Sequence, residues 1–435
     1  MKYTSLAFLM VFFTINIFSQ EYKNIDTTAT NEKKLFLKDF KNRHDTNIEY
    51  VKNNFSGNTK KDLIKRYIDA FNDFSKTVTK GELYFNKDDQ EYLEKIVTTI
   101  KNVNPILKEK DFYIYLSRDP SINAFSIGDG TLIINLALFN ALKSEGELAS
   151  VICHEMAHYY LDHRGRSIKK SIDFLNSDTF KKEERSIKKE KYNKYKRADK
   201  LLKNLEYTRK NKSRIFEFQA DSLGYCFFKN TKYNPQQAVD LLNHLSDSDK
   251  EKETLEEADY KMFFTTKNQS FIKEWLQMED FSDYHYSKEN SHRWDIDSLK
   301  THPDCKERIT RIKLDNQKKT NFSVDSSCFE KIKNISPYET VYNYYYFKEY
   351  GICLYESLKL YRKNKKDAFL LELIAKNLEL LAKAKKEMKF NTYITSINPK
   401  EHTISQQRFL NFMNNLTLTE IEQISKDYNN LTKKL

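Results

Sequence analysis

The chain has 435 residues, of which 39% are hydrophobic and 31% are charged, and its formal net charge is +12. A chain of this length can bury a sufficient core without cross-links, and its five cysteines are too few for a disulfide-built scaffold. The positive charge is concentrated between residues 166 and 214, where 18 Lys and Arg stand against 7 Asp and Glu. Because no nucleic-acid recognition motif is visible, we expect no nucleic-acid partner.

The first twenty residues are typical of a secretory signal peptide. Lys2 precedes an apolar stretch of thirteen residues, from Leu6 to Phe18, and a polar chain follows. A membrane-spanning helix needs about 20 apolar residues, so this stretch is too short for a permanent anchor. We therefore expect cleavage near Ser19 and Gln20 and an exported protein, either periplasmic or secreted.

Residues 21–105 are predicted to form an N-terminal helical region. Apolar side chains recur there at helical spacing on one face, namely Leu63, Ile64, Tyr67, Ile68 and Phe71. Further along, strand-forming residues lie on both sides of the Gly128-Asp129-Gly130 turn and predict a small β-sheet. One strand of that sheet would present its edge to an extended polypeptide, because main-chain pairing binds a peptide whatever its side chains.

The stretch His154-Glu155-Met156-Ala157-His158 carries the strongest chemical signal of the chain. Two histidines four residues apart on a helix project from one face and can bind a single metal ion, with Glu155 beside them. The apolar residues before the motif and the aromatic residues after it place this helix in the core. Unliganded histidines would carry a desolvation penalty there, which disfavours the alternative of an ordinary surface helix.

Two histidines do not complete a zinc site. A catalytic zinc ion normally has three protein ligands and keeps one position for water, so a third ligand is needed downstream. The stretch Glu217-Phe218-Gln219-Ala220-Asp221 supplies carboxylates for this purpose. The predicted chemistry, with one zinc ion per chain, is peptide hydrolysis in which the metal activates a water molecule and Glu155 acts as general base.

These stretches resemble the HtpX and CAAX prenyl endopeptidase family, including its soluble bacterial members. The resemblance rests on residues 123–125, 128–130, 145–158, 217–221 and 233–239, and on Thr301-His302-Pro303 followed by Arg308 and Arg311. It implies a zinc metalloendopeptidase in which Glu217 is the third ligand and Asp221, one turn further, contacts a ligand and not the metal. The chain departs from the integral members because it lacks their membrane spans.

The fold class implied by this resemblance is α+β and mainly helical, with a zincin-like core. The core would consist of a small β-sheet and the HExxH helix, within a metallopeptidase domain at residues 106–330. Two long insertions interrupt it, a basic helical one at 166–210 and another at 246–295.

The basic insertion has apolar residues at helical spacing and is therefore predicted to be amphipathic. Most charged helical faces are simply solvated, and this is one interpretation. The other is peripheral contact with an anionic membrane surface, where basic amphipathic helices bind readily.

His302 is a candidate for a further role, since the resemblance brings its His-Pro element towards the site. It could donate a hydrogen bond to the oxyanion, or it could be a reversible fourth zinc ligand. An equal alternative is that His302-Pro303 has a structural role alone, as the cap of the helix that carries Arg308 and Arg311.

Residues 340–435 are predicted to form a helical C-terminal region, because apolar residues from Phe369 to Leu381 recur at helical spacing. This tail could bind a protein partner.

Two functions are compatible with these observations. The first is an exported zinc endopeptidase acting on unfolded or extended polypeptides, such as misfolded or unassembled envelope proteins. The second is an exported chaperone-like or binding protein with a structural or closed zinc site. Glu155 favours the enzyme, because a structural site has no use for a base at that position.

Overall fold

A computed structural model describes residues 29–248, 250–278, 305–310, 321–399 and 402–434, together with residues 22, 24, 25, 27 and 312. For residues 204–212, which lie inside a helix, it describes the backbone alone. The predicted signal peptide, residues 279–295 of the second insertion, and the elements Thr301-His302-Pro303 and Arg311 lie outside the described residues.

The described residues form fifteen α-helices and four strands. The helices are α1 Thr30–Asn54, α2 Gly57–Lys80, α3 Lys87–Asn102, α4 Glu145–Tyr160, α5 His163–Asn176, α6 Asp178–Lys189, α7 Lys194–Lys229, α8 Gln236–Ser248, α9 Glu257–Phe264, α10 Cys305–Ile309, α11 Ser326–Tyr346, α12 Tyr350–Lys363, α13 Ala368–Lys386, α14 Ile404–Asn415 and α15 Leu418–Thr432. The strands are β1 Leu83–Tyr84, β2 Tyr113–Ser117, β3 Ala124–Ser126 and β4 Thr131–Asn135. This confirms the predicted α+β, mainly helical class.

The four strands form one mixed sheet in the order β1-β2-β4-β3. Strands β2 and β4 are parallel, whereas β3 pairs antiparallel with β4 and lies at the edge. The predicted turn joins β3 to β4, and Gly130 in it has a φ of 94°. A Cβ atom at Gly130 would lie 2.3 Å from the carbonyl oxygen of Asp111, so the turn requires glycine there for two reasons.

The two faces of β4 belong to two different cores, as the alternation of side chains along a strand requires. Leu132 and Ile134 pack into the main core, together with residues of α3, α4 and α7. Ile133 points the other way and packs against Phe36 and Phe40 of α1. Strand β1 and helix α3 precede the predicted domain boundary at residue 105, yet both pack with the sheet.

Helices α1 and α2 form a hairpin that covers the outer face of the sheet. Arg43 of α1 donates from Nε to Asp129 Oδ2 at 2.8 Å and from Nη2 to Thr131 Oγ1 at 3.2 Å. Its guanidinium group lies 4.1 Å from the ring centroid of Tyr113. These contacts tie the hairpin to the turn between β3 and β4.

Helices α5 and α6 and the first half of α7 contain the residues of the basic insertion, and these parts differ in environment. In α5, Ile172 is buried against Leu63 of α2 and Val51 of α1. Helix α7 is continuous over 36 residues and includes both the end of the insertion and Glu217. Within the part of the chain that the structure describes, no helix combines the length and the apolar character needed to cross a membrane.

The C-terminal helices build further cores of their own and join the main core through α11. Phe329 and Ile332, near the start of α11, pack into the main core, whereas Val341 packs with residues of α12 and α13. Buried Glu339 accepts hydrogen bonds from Tyr84 Oη at 2.6 Å and from the Ile25 amide at 2.7 Å. The predicted start of the tail at residue 340 therefore falls within one helix.

Helices α4 and α7 cross at very close range at Gly224. A Cβ atom at this position would lie 2.9 Å from the Cα atom and 3.0 Å from the amide nitrogen of His154. The neighbouring atoms belong to the backbone and cannot rotate away. Glycine at 224 therefore sets the separation of the two helices.

We expect Gly224→Ala to destabilise the protein by about 1–3 kcal/mol, the usual effect of overpacking. The sign is informative, because Gly→Ala inside a helix otherwise stabilises by up to about 1 kcal/mol. Urea denaturation would measure the free energy of unfolding, with Ser222→Ala, on the exposed face of the same helix, as control. Unchanged or increased stability of Gly224→Ala would contradict the close crossing.

Candidate metal centre

Helix α4 places the HExxH residues in its last two turns. It begins after Ser144, whose hydroxyl accepts a hydrogen bond from the Glu147 amide at 3.3 Å. Its apolar side chains are buried throughout, which fixes the rotation of the helix about its axis. The carboxyl end of a helix favours positive charge, so a cation bound by His158 would be stabilised there.

Three predicted ligands come together at this point. The Nε2 atoms of His154 and His158 are 3.0 Å apart. Glu217, on α7, places Oε2 at 3.4 Å from His154 Nε2 and Oε1 at 3.4 Å from His158 Nε2. The structure brings the three side chains together, and their assignment as ligands stays a prediction.

The spacing of these atoms fits a tetrahedral metal ion. Zinc binds imidazole nitrogen and carboxylate oxygen at about 2.0–2.2 Å, so neighbouring ligand atoms in a tetrahedral site lie roughly 3.3 Å apart. The distances of 3.0 and 3.4 Å given above are close to this value. Two imidazoles and one carboxylate are also the donor set of known hydrolytic zinc sites.

Glu155 lies beside these groups but is not among the converging ligand atoms. Its side chain is buried, with 7% exposure, and lines two cavities that lie on either side of the centre. One is a pocket of about 100 Å³ with mostly aliphatic walls, including Leu138, Val151 and Leu241. The other has a volume of about 650 Å³ and includes His158 and Glu217. Glu155 is therefore placed to contact a molecule in either cavity.

Asp221 lies behind His154, on the side away from the converging ligand atoms. Asp221 Oδ1 lies 3.0 Å from His154 Nδ1, although the angle at that nitrogen departs from ideal hydrogen-bond geometry. Arg308, from α10, donates to both oxygens of Asp221, from Nε at 2.9 Å and from Nη2 at 2.6 Å. A carboxylate behind a ligating imidazole fixes its orientation and raises its basicity.

Charge at the centre is arranged to favour a cation. Burial would raise the pKa of Asp221, but hydrogen bonds with His154 and Arg308 outweigh burial and lower the pKa to about 2. Burial would likewise lower the pKa of His154, but the carboxylates of Asp221 and Glu217 raise it to about 10. Positive charge at His154 is thus stabilised, which a bound metal ion would also satisfy.

His163 is also part of this centre, although no motif in the sequence points to it. Its Nδ1 lies 3.0 Å from Nδ1 of His158, and its Nε2 lies 3.1 Å from Oε1 of Gln219. The ring is buried and stacks on Phe216, with centroids 4.4 Å apart and an interplanar angle of 11°. Both Gln219 and Phe216 flank Glu217 on α7.

This arrangement determines which nitrogen of His158 carries a proton. Burial, reinforced by the neighbouring His158, lowers the pKa of His163 to about 4, so its ring is neutral at pH 7. The Gln219 oxygen can only accept, so Nε2 of His163 carries the hydrogen and Nδ1 accepts. His158 then donates from Nδ1, which leaves the lone pair of its Nε2 directed at the metal position.

A tight connection after α4 brings His163 back to His158. Asp162 adopts a left-handed conformation with φ of 49°, and its carboxylate accepts a hydrogen bond from the Gly165 amide at 3.1 Å. Asp is among the residues that tolerate this conformation and cap a following helix. The capping pattern was therefore visible in the sequence, but the direction of the return was not.

We expect His163→Ala to weaken zinc binding by roughly 10- to 100-fold, because His158 loses the acceptor that fixes its ring. Competition with a chromophoric chelator would measure the affinity. His244→Ala is the matched control, since His244 lies 3.1 Å from Glu147, near the opposite end of α4. Equal zinc affinity of His163→Ala and the parent protein would remove this role.

Comparison with known proteins identifies the family. Residues 87–315 match the model of Peptidase family M48. The chain is 35% identical over 69 residues to the beta-barrel assembly-enhancing protease of Yersinia pestis, covering 16% of this chain and 14% of that protein. It is 42% identical over 57 residues to the putative beta-barrel assembly-enhancing protease of Vibrio cholerae, covering 13% and 12%.

The protein of the same name from Escherichia coli is 35% identical over 57 residues, again covering 13% of this chain and 12% of that protein. The aligned segments therefore span less than one sixth of the length of these relatives. The finer resemblance to HtpX and CAAX prenyl endopeptidases stays a prediction. Because the family model matches more than half of the 435 residues, the chain belongs to Peptidase family M48 and contains a metallopeptidase domain.

Proposed function

We propose that this protein is a zinc-dependent metalloendopeptidase that hydrolyses peptide bonds in unfolded or extended polypeptides. One observation carries the proposal: His154, His158 and Glu217 converge at tetrahedral spacing with Glu155 beside them. Family membership supports the same reaction class.

The side chains of the centre have separable roles in the proposed reaction. His154, His158 and Glu217 would hold zinc, which when bound lowers the pKa of water and polarises the scissile carbonyl. Glu155 takes a proton from the attacking water and delivers it to the leaving amine, as a general base and then a general acid. Asp221 and His163 keep the two imidazoles in their ligating orientation.

Strand β3 offers a binding edge for the substrate main chain. Among the described residues it pairs with β4 on one side only, and Ala124 at its start lines both cavities at the centre. A polypeptide can add to such an edge as a further strand. This mode does not depend on side chains, which suits a peptidase that acts on many sequences.

The substrate source and compartment are finer parts of the proposal. The relatives are named for enhancing β-barrel assembly, and outer-membrane barrels are exported proteins that traverse the periplasm. Together with the signal peptide predicted at residues 1–20, this supports a periplasmic or secreted enzyme acting on misfolded or unassembled envelope proteins. Protein fractionation followed by immunoblotting would test the location.

The second candidate is a chaperone-like or binding protein with a structural or closed zinc site. The buried Glu155 at the meeting point of two cavities favours the enzyme. His302, the predicted oxyanion donor or fourth ligand, lies outside the described residues, and its role stays a prediction.

Cleavage of unfolded casein tests the proposal directly. We expect the purified protein to cleave casein and a chelator to abolish cleavage. Glu155→Gln should retain zinc and lose turnover, because it removes the base but no metal bond. Glu217→Ala should lose zinc as well as turnover.

Metal analysis of each variant separates the two causes of inactivity. Full zinc occupancy in Glu217→Ala would remove Glu217 from the ligand set. Casein cleavage by Glu155→Gln at the rate of the parent protein would exclude the proposed mechanism.

We further propose that the basic insertion contacts an anionic membrane surface. Tyr192, in the connection between α6 and α7, and Tyr195, in the first turn of α7, are 82% and 89% exposed among many lysines. The acidic residues nearby are already paired, Glu183 and Glu190 with Arg197 and Glu184 with Lys188. Exposed tyrosines flanked by lysines suit the headgroup layer of a bilayer.

We expect the protein to bind vesicles containing phosphatidylglycerol and to be released as the salt concentration rises. The reason is that the electrostatic screening length falls to about 10 Å at 0.1 M ionic strength. The double variant Tyr192→Ser/Tyr195→Ser should bind less. Met388→Ser is a matched control, since Met388 is 96% exposed in the C-terminal region. If a sedimentation assay showed equal binding to neutral and anionic vesicles, the basic insertion would be only a solvated helical face.

A further inference from the structure

The N-terminal hairpin α1–α2 lies outside the matched family segment, which begins at residue 87. We propose that this hairpin builds a distal substrate-binding chamber, which holds the part of an extended polypeptide on the N-terminal side of the bond to be cleaved. The inference rests on the proposed peptidase function and names a binding site beyond it. The ligand class is an extended chain with aromatic residues upstream of the cleavage point.

The chamber adjoins the cavity at the metal centre. A cavity of about 1140 Å³ lies between the hairpin, the β3 edge and α5. It shares seven lining residues with the 650 Å³ cavity that contains Glu155, His158 and Glu217, among them Arg66, Phe125 and Arg164. The two cavities therefore adjoin, and the shared residues lie between the reacting groups on one side and the hairpin on the other.

The lining of the chamber suits a polypeptide better than a charged small molecule. Nine aromatic side chains line it, including Tyr50, Tyr67 and Tyr159. Its charged residues are nearly balanced, with four Arg or Lys and five Asp. Aromatic side chains contribute large apolar contact areas, and the intervening polar groups can bind main-chain amides.

The wall of the chamber is preformed. The Arg43–Asp129 ion pair joins α1 to the turn between β3 and β4, with side-chain exposures of 17% and 7%. On the other side of that turn, a Cβ atom at Gly128 would lie 2.9 Å from Cδ of Arg164, so glycine there allows α5 to approach. Direct contacts thus join the hairpin, the turn and α5 around the chamber.

Strand polarity determines which part of the substrate enters the chamber. Ala124, at the start of β3, lines the aliphatic pocket and the cavity of about 650 Å³, whereas Phe125 and Gly128, further along, line that cavity and the chamber. Antiparallel pairing is the more stable mode of strand addition. A substrate antiparallel to β3 would therefore run with its N-terminal segment in the chamber and its C-terminal segment towards the aliphatic pocket.

The chamber predicts an asymmetric dependence on substrate length. The probes are a short quenched fluorescent peptide, the same peptide lengthened by an N-terminal segment containing two tyrosines, and one lengthened equally at its C-terminus. We expect the N-terminal extension to lower KM by roughly tenfold, equivalent to about 1.4 kcal/mol of binding, and the C-terminal extension to have a smaller effect.

Surface variants localise that gain to the hairpin. Arg66→Glu, at the junction of the two cavities, and Tyr50→Ser, with 60% exposure in the parent, should each remove most of the gain from the N-terminal extension. Lys65→Glu is the matched control: it makes the same charge change one residue away, and Lys65 is exposed and lines neither cavity. Loss of the gain in Lys65→Glu, or its retention in both chamber variants, would overturn the proposal.

A binding measurement separates this inference from the proposed activity. Fluorescence anisotropy with zinc-loaded Glu155→Gln should show tighter binding of the N-terminally extended peptide than of the other two. If no peptide is cleaved by the parent protein but this order of binding holds, the proposed catalysis fails and the chamber stands. If cleavage occurs and the two extensions bind equally, the chamber is excluded and the peptidase stands.

Discussion

The close crossing of α4 and α7 at Gly224 is the constraint on which the centre depends. The two histidines belong to α4 and the carboxylates of Glu217 and Asp221 to α7, so the separation of the helices determines whether their side chains meet. The side chains of glutamate and aspartate are short. If a methyl group at position 224 pushed α7 away from α4, their oxygens would lie too far from the imidazoles. A glycine without chemistry of its own thereby controls the geometry of the charged residues, two turns and one turn before it.

The two histidines of the HExxH motif, His154 and His158, are each held by a different series of side-chain contacts. Behind His154 lie Asp221 and then Arg308, an ionic sequence that reaches to α10. Behind His158 lie His163 and then Gln219, a neutral sequence that returns to α7. The ionic partner increases the basicity of one imidazole, and the neutral partner selects the tautomer of the other. An ionic contact thus acts on one imidazole and a directed hydrogen bond acts on the other, and neither contact alone would orient both rings.

Features that depend on short spacing along the chain were predictable from the sequence. Features that depend on how one element packs back against another were not. The i, i+4 histidines and the β3–β4 turn follow from local periodicity and glycine, so their placement was predictable. Glu217 needed the coordination demand of zinc together with a family resemblance. His163 lies five residues after His158, beyond the helix end, where no periodicity reports its direction. Likewise, the two residues of β1 are too few to show the alternation that indicates a strand.

The continuity of α7 has a mechanical consequence. At 1.5 Å per residue, the 22 positions from Tyr195 to Glu217 span about 33 Å of unbroken helix. If α7 stood upright on a surface engaged at the tyrosine end, the reacting groups would be held at most about 33 Å from that surface. Only chains that project about that far from the surface would come within reach. The length of the helix would then leave embedded or fully folded neighbours out of reach of the reacting groups.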